Sequence, residues 1–269
     1  MDNRPIGIFD SGVGGLTVLA KITEILPHES IIYVGDTANA PYGGKSKETL
    51  LKHGQDIIRF LQSKNVKAVV LACGTTSSTV YGQLVKDFQG LPLIDVIRPG
   101  VNACLELAGQ NPQLRLGLIA TATTIRSGLF ERLIREKYPN ISFVAQACPL
   151  FAPMVEAGVT GNPLAKWAAE TYISGWYGKI DMLVLGCTHY PLLTDVLTKI
   201  LGQNVRFIDL AAYTAQALKA QLAKTDSFCD GEGPSLYKYY VSGEPDVFNK
   251  TARFLLDSEL EAVKTHSFI

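Results

Sequence analysis

Two of the five cysteines, Cys73 and Cys187, each follow a short apolar run and precede residues with hydroxyl groups. The runs, 68–72 (AVVLA) and 182–186 (MLVLG), have the length and composition of buried strands. The hydroxyls after each cysteine could cap a helix. Because a helix dipole stabilises a thiolate, we expect the pKa of both thiols to fall toward the working pH. Such thiols could exchange protons with a substrate.

Other kinds of cysteine chemistry fit this pattern less well. A tyrosine-phosphatase-like loop needs an Arg six residues after the cysteine, where Thr79 and Leu193 stand. A hydrolase with one Cys–His pair would use Cys187 and His189 but would leave Cys73 without a role. Two thiols on opposing halves of a protein suit the inversion of a carbon centre, in which a base removes a proton from one face while an acid protonates the other.

Asp10 and His189 are the side chains that we expect to flank the two thiols. Asp10 ends the first apolar run of the chain, and His189 lies two residues after Cys187. Each could have a simpler role: His189 as a capping or core histidine, and Asp10 as the N-cap of a helix that begins near Gly14. The remaining histidines are predicted to be solvated surface residues: His28, His53 and His266.

The glycine-rich run at 10–15 (DSGVGG) indicates a tight turn from a strand to a helix but no particular ligand. A dinucleotide fingerprint needs a small residue where Thr17 stands, although Asp36 lies at a suitable distance for a ribose. A Walker loop needs Gly-Lys-Ser/Thr, and an aspartyl phosphatase needs a second Asp at position 12, which is Gly. Apart from Arg126, the strand-end segments hold no Lys or Arg, so an anionic ligand would be bound by hydroxyls and backbone N–H groups.

Runs of strand length alternate with helix-length segments, which is typical of a parallel sheet covered on both faces. Strands are predicted at 5–10, 30–35, 67–72, 91–96, 115–120, 141–145, 181–186 and 204–208. Helices are predicted at 16–26, 47–62, 76–88, 128–138 and 164–176. After residue 209 we expect a helix at 211–223, a surface loop at 225–234, a strand at 236–242 and a final helix.

The strand ends repeat along the chain. Residues 7–11 match 117–121, residues 31–33 match 142–144, and residues 68–73 match 182–187, at nearly one offset. The sequence therefore predicts an α/β protein with two pseudo-symmetric parallel-sheet domains that face each other across an active-site cleft. We place the first domain at 1–97 plus the returning segment 209–269, and the second at 98–208.

Composition narrows the class of protein. The 269 residues carry 25 Lys+Arg and 25 Asp+Glu, so no net charge favours nucleic acid or an anionic membrane surface. The chain is 47% hydrophobic, which excludes disorder, and its longest apolar runs are too short to span a bilayer. We see no signal peptide, and the odd number of widely spaced cysteines argues against disulfides and zinc sites, so we expect a cytoplasmic protein. The other cysteines are expected to be core residues: Cys104, Cys148 and Cys229.

An ordered set of motifs resembles the bacterial glutamate racemases of the aspartate/glutamate racemase family. The motifs are IFDSGVGGL at 8–16, GDT at 35–37 with PYG at 41–43, ACGT at 72–75, CPL at 148–150, VEAG at 155–158 and LGCTHYP at 185–191. The resemblance covers about residues 5–256. It implies two α/β domains with the active site between them and the cofactor-independent, metal-independent interconversion of L- and D-glutamate, which supplies D-glutamate for peptidoglycan.

The resemblance also implies roles for individual residues. Cys73 would act on the D-enantiomer and Cys187 on the L-enantiomer. The supporting residues near the thiols would be Asp10, Glu156 and His189. The substrate contacts would come from Asp10, Ser11, Tyr42, Gly43, Gly74, Thr75, Thr121, Thr188 and His189. Gly74 departs from the family, which usually has Asn there, so substrate affinity or preference could differ.

Three functions stay open at this point: a glutamate racemase, an aspartate-type racemase, and an amino-acid or nucleotide sensor without turnover. The intact motifs at 10–15 and 186–191 favour glutamate. We expect glutamate as the small-molecule partner and a homodimer, with no nucleic-acid or membrane partner.

Overall fold

The computed structural model describes residues 1–256, 260 and 262–268. Ten strands form two separate sheets, and every strand pairing in both sheets is parallel. The strands are Ile6–Asp10 (β1), Ile31–Gly35 (β2), Ala68–Leu71 (β3), Leu93–Asp95 (β4), Arg115–Ala120 (β5), Ser142–Ala147 (β6), Met182–Leu185 (β7), Arg206–Asp209 (β8), Tyr237–Val241 (β9) and Lys264–Thr265 (β10).

The two sheets have the same internal strand order. The first sheet runs β10-β9-β2-β1-β3-β4, and the second runs β6-β5-β7-β8. The segment β2-β1-β3-β4 therefore corresponds strand by strand to the whole second sheet, which confirms the α/β class and the predicted duplication. Strands β9 and β10 extend only the first sheet. The boundaries 1–97 with 209–269 and 98–208 stay a prediction, and residues 257–259, 261 and 269 lie outside the described residues.

Twelve helices of the described residues connect and cover the strands. They are Leu16–Ile25 (α1), Lys47–Ser63 (α2), Gly74–Thr79 (α3), Tyr81–Asp87 (α4), Ile97–Gln110 (α5), Ala122–Ser127 (α6), Leu129–Lys137 (α7), Phe151–Glu156 (α8), Pro163–Ile173 (α9), Thr194–Leu201 (α10), Leu210–Lys224 (α11) and Pro245–Leu256 (α12). Short 3₁₀ segments lie at Thr37–Asn39, Tyr42–Gly44, Ser174–Trp176 and Tyr190–Leu193. None of the described helices is long and apolar enough to cross a bilayer.

One hydrophobic core is shared by the two sheets. Helices α1, α5 and α11 pack on one another between the sheets, and their apolar side chains form a cluster with residues from β1, β5 and β7. A second cluster, with residues from α2 and α4, covers the outer face of the first sheet, and a third, with residues from α9 and α10, covers that of the second. Because helices cover both faces of the central strands, these strands are apolar throughout.

Three expectations differ from the structure. The predicted helix at 76–88 is two helices, because Thr79 and Ser78 donate their hydroxyls to the Thr75 carbonyl and compete with the backbone ladder before Val80. Strand β6 is largely exposed at a sheet edge, although we expected buried strands. Helices α5, α6, α8 and α10 were not predicted; α6 and α8 have six residues each, too few to show a periodicity.

Candidate active site

Cys73 lies at the carboxyl end of β3, directly before α3, and is buried. Burial raises the pKa of its thiol to about 11, and the negative charge of Asp10 adds to the effect. Thr76 and Ser11 favour the thiolate but do not offset burial. The prediction that the helix dipole lowers this pKa is therefore wrong. Helix α3 has only six residues, and desolvation of the sulfur outweighs its dipole.

Asp10 ends β1 and is 1% exposed. Burial raises its pKa to about 6; the charge of Glu156 also raises it, whereas the charge of His189 and the backbone N–H groups of Gly15 and Ser11 lower it. Those N–H groups lie close enough to favour the carboxylate, although neither carboxylate oxygen makes a hydrogen bond of good geometry among the described residues. Asp10 is not a helix cap, since the N-cap of α1 is Gly15 and no side chain caps it.

Cys187 follows β7 and is half-buried next to a buried histidine. Its Sγ lies 3.6 Å from His189 Nδ1, and His189 Nε2 lies 2.9 Å from Glu156 Oε1. Burial works against a charged imidazole here, but the contacts with Cys187 and Glu156 prevail and raise the pKa of His189 to about 10. The three groups thus form a thiol–imidazole–carboxylate chain in which the imidazole is a cation at neutral pH. A 3₁₀ turn, not an α-helix, comes after Cys187.

The two halves meet at these strand ends. A methyl group at Gly74 would lie 2.7 Å from the carbonyl oxygen of Gly186, and one at Gly14 would lie 2.3 Å from Thr188 Oγ1. Thr17 Oγ1 also donates to the Thr188 carbonyl at 3.1 Å. Gly74 directly follows Cys73 and Gly186 directly precedes Cys187, so each cysteine is the chain neighbour of a glycine at this close approach. A small cavity of about 10 Å³ lies beside this approach, lined by Thr17, Gly186 and Cys187 among others.

Hydroxyl groups bridge the cleft. The hydroxyls of Thr75 and Thr121 lie 3.0 Å apart, and Thr121 also contacts Thr124 at 3.0 Å. Ser78 reaches Thr124 at 3.4 Å. Thr75 and Thr121 stand at the N-terminal ends of α3 and α6, whose first backbone N–H groups have no partner within the helix. This is where a small anionic group could be bound without a cationic side chain.

The turn at Tyr42–Gly44 closes one side of the site. The side chain of Tyr42 is buried in the same hydrophobic cluster as Cys73. Its hydroxyl donates to Asp36 Oδ2 at 2.5 Å, so only the ring and the backbone of Tyr42 remain for a substrate. Gly43 abuts Thr121, since a methyl group on it would lie 3.2 Å from Thr121 Cβ. The structure therefore places Gly43 beside Thr121, whereas the Tyr42 hydroxyl is bound to Asp36.

Sequence reasoning missed a second group of residues beside the site. His53 is 6% exposed, stacks on the Tyr42 ring at 5.6 Å and lies 3.8 Å from Asp36 Oδ2, so the prediction of a surface residue is wrong. Burial lowers the pKa of His53. Ser242, directly after strand β9, also donates to Asp36 Oδ1, at 2.6 Å. His266 is half-buried against Phe60, contrary to prediction, whereas His28 is exposed as predicted.

No group of side chains suited to hold a metal ion occurs among residues 1–256, 260 and 262–268. Fold and site together define a class of α/β proteins with two matching parallel sheets and a thiol at the same strand end in each. The model of the Asp/Glu/hydantoin racemase family matches residues 6–218, and the chain belongs to this family. It is an amino-acid racemase, an isomerase.

Relatives with high similarity cover nearly the whole chain. Glutamate racemase of Thermoanaerobacter pseudethanolicus is 40% identical over 264 residues, which span 98% of this chain and 97% of that protein. Among solved structures, glutamate racemase from Francisella tularensis in complex with D-glutamate has a TM-score of 0.91 and 35% identity, with 100% of this chain and 99% of that chain covered. A glutamate racemase isoform from Bacillus anthracis has a TM-score of 0.92 and 31% identity, with coverages of 99% and 98%.

Proposed function

We propose that this protein interconverts L- and D-glutamate by transferring protons between the substrate Cα and two cysteines, without a cofactor. The observation that carries the proposal is the close approach of Gly74 to the Gly186 carbonyl, because these two glycines are the chain neighbours of Cys73 and Cys187. Glutamate is the proposed substrate because the similar relatives above are named glutamate racemase.

The substrate is bound through hydroxyls and backbone N–H groups in this proposal. Its carboxylates take the place of the Thr75–Thr121 bridge and reach the N-terminal ends of α3 and α6. Ser11, Gly43, Gly74 and Thr188 supply further contacts at the cleft walls.

The chemical step exchanges protons between carbon and sulfur. In one direction the Cys73 thiolate takes the Cα proton of D-glutamate, the electron pair stays on the carbanion, and the Cys187 thiol donates its proton to the opposite face. The product is L-glutamate, and the two cysteines have exchanged their protonation states. The reverse reaction starts at Cys187, so each thiol serves one enantiomer.

Each thiol has its own supporting group. With a pKa of about 11, roughly one Cys73 in a thousand is ionised at pH 8, so the thiolate must be formed with help. Asp10, with a pKa of about 6, is a carboxylate at that pH and can accept the thiol proton. The substrate's α-ammonium group supplies a positive charge near the sulfur. On the other side, the His189 imidazolium, which contacts Glu156, stabilises the Cys187 thiolate and returns its proton.

The wider role follows from the product. We propose that D-glutamate made here enters peptidoglycan, and that the enzyme works in the cytoplasm as a homodimer.

The test compares the wild-type protein with Cys73→Ser and Cys187→Ser in racemisation of pure L- and D-glutamate and of both aspartate enantiomers, without added cofactor. Cys104→Ala is the matched control, since Cys104 is a buried thiol of α5 outside the cleft. We expect glutamate turnover that both serine variants abolish and the control retains. Full activity in either serine variant would falsify the mechanism. Faster turnover of aspartate would overturn the substrate, and glutamate binding without α-hydrogen exchange would indicate a sensor.

A further inference from the structure

The turn at Tyr42–Gly44, which closes one side of the site, is held by both halves of the molecule. On one side, the Tyr42 hydroxyl donates to Asp36, and its ring packs edge-on against Phe9 of β1 with the ring centroids 6.3 Å apart. On the other side, the Gly43 carbonyl accepts a hydrogen bond of 2.5 Å from Thr123 Oγ1 of α6, which belongs to the second half. The turn therefore depends on a bond that crosses the cleft.

Thr123 directs its hydroxyl across the cleft. It is the second residue of α6, so no carbonyl of its own helix lies four residues before it, unlike Thr198, which donates to the Thr194 carbonyl at 2.7 Å within α10. Thr123 instead donates to Gly43, eighty residues away in the chain. Its side chain is buried, so water does not compete for the bond.

Arg126 makes a second hydrogen bond to the same Thr123 hydroxyl. Its Nη2 donates to Thr123 Oγ1 at 2.9 Å. A guanidinium group has no acceptor, so the Thr123 oxygen must accept from it and its own hydrogen is left for the Gly43 carbonyl. The result is a directed relay from Arg126 through Thr123 to Gly43. A donor that carries a charge also strengthens the relay.

We propose that Arg126 and Thr123 are positioning residues, which hold the Tyr42–Gly44 turn at the distance from α6 that the substrate requires. The inference rests on the proposed function, because it takes Gly43 and Thr121 as substrate contacts. These two residues lie close together, since a methyl group on Gly43 would come within 3.2 Å of Thr121 Cβ. A turn released from Thr123 moves Gly43 away from Thr121 and weakens the binding of substrate without touching the thiols.

The kinetic test uses Thr123→Val, which removes the hydroxyl at nearly constant volume, and Thr123→Ser, which keeps it. For Thr123→Val we expect KM for glutamate to rise about tenfold, the effect of one lost hydrogen bond, with kcat changed less than about threefold. Thr123→Ser should restore KM to within about twofold of wild type. Thr198→Val is the control, because it removes a hydroxyl that bonds only within its own helix, and it should leave KM and kcat unchanged.

The relay also predicts coupling between its two members. Arg126→Met should raise KM. The double variant with Thr123→Val should have the same KM as Thr123→Val alone, because both changes interrupt the same series of hydrogen bonds. Additive effects would overturn the relay, as would an unchanged KM in Thr123→Val or a loss confined to kcat.

A measurement without turnover separates this inference from the proposed function. Amide hydrogen exchange of the peptide that contains residues 42–45 should be faster in Thr123→Val than in wild type and unchanged in Thr198→Val. Unchanged exchange in Thr123→Val would contradict the relay even if the enzyme racemises glutamate. If wild type does not racemise glutamate but exchange is faster, the substrate assignment fails and the relay stands.

Discussion

Replacing Asp10 by Asn should make the protein more stable at neutral pH while it removes most of the racemase activity. Asp10 is 1% exposed, and burial raises the pKa of its carboxyl from 3.8 to about 6. The folded protein therefore binds a proton at this site more tightly than the unfolded chain does. As the pH rises from 3.8 to 6, the unfolded chain ionises first, so wild type loses stability across that window.

The pKa shift of Asp10 sets the size of the expected change in the free energy of unfolding. A difference of roughly two pK units corresponds to about 3 kcal/mol of lost stability above pH 6, and full burial leaves no solvent screening to reduce it. The neutral amide of Asn does not suffer this loss, but burying its NH₂ group without a partner costs about 1 kcal/mol. The net gain for Asp10→Asn at pH 8 is then about 2 kcal/mol. Below pH 3.8 the gain disappears, because Asp10 is protonated in both states.

Urea unfolding of wild type and variant at several pH values from 4 to 8 measures this difference, and racemisation at pH 8 measures the functional cost. Asp95→Asn is the matched control: Asp95 is also buried at a strand end, but it accepts hydrogen bonds from the N–H groups of Ile97 and Arg98 and pairs with the Arg98 guanidinium. Asp95→Asn should lower the free energy of unfolding by about 1 kcal/mol. If Asp10→Asn is less stable than wild type at pH 8, the reasoning about Asp10 is wrong.

Three further changes probe other parts of the account. Glu156→Gln removes the carboxylate 2.9 Å from His189, so the pKa of His189 should fall below about 10 and the basic limb of the pH–kcat profile should move to lower pH; an unmoved limb would refute the pairing. Gly74→Ala places a methyl group 2.7 Å from the Gly186 carbonyl, so the strand ends of this chain, unlike those of relatives with Asn here, must shift and kcat should fall about 100-fold in both directions, measured by circular dichroism; wild-type rates would show that this chain tolerates a side chain at position 74 as its relatives do. Lys67→Met leaves the buried carboxylate of Glu29 without its cation and should lower the free energy of unfolding in urea by about 3–5 kcal/mol. A decrease below about 1 kcal/mol would contradict a buried ion pair.

The fold could be predicted largely from the sequence, because the central parallel strands are apolar on both faces and the strand ends repeat. Cys73 and Cys187 were recognised as a pair for the same reason: residues 68–73 and 182–187 are equivalent positions of the two halves, and in the structure the two thiols lie just beyond the carboxyl ends of β3 and β7. A strand-end position in a parallel sheet fixes where a side chain lies, even before any contact is known.

His53 shows where a local signal was present but not used. It lies three residues after Leu50 and four before Ile57, on the face of α2 that packs into the core. That spacing indicates a buried position, and the carboxylate of Asp36 provides a polar partner for the buried imidazole. The histidine could therefore have been predicted to be buried.

The properties that could not be predicted depend on long-range contacts. The pKa of Cys73 is set by competition between burial and the dipole of a six-residue helix, and only the packed structure shows that burial prevails. The bond from Thr123 to Gly43 joins residues in different halves, and no local pattern indicates it.

The central claim is that two thiols work on opposite faces of one carbon, and isotope transfer at early times tests it most directly. Each glutamate enantiomer is incubated with the enzyme in D₂O for less than a tenth of the conversion, and the enantiomers are then separated for mass spectrometry. Because one thiol removes the α-hydrogen and the other, equilibrated with solvent, delivers deuterium, we predict deuterium in the product enantiomer and none in the recovered substrate. Deuterium at equal levels in recovered substrate and product, or a product that keeps the original hydrogen, would contradict the two-thiol account.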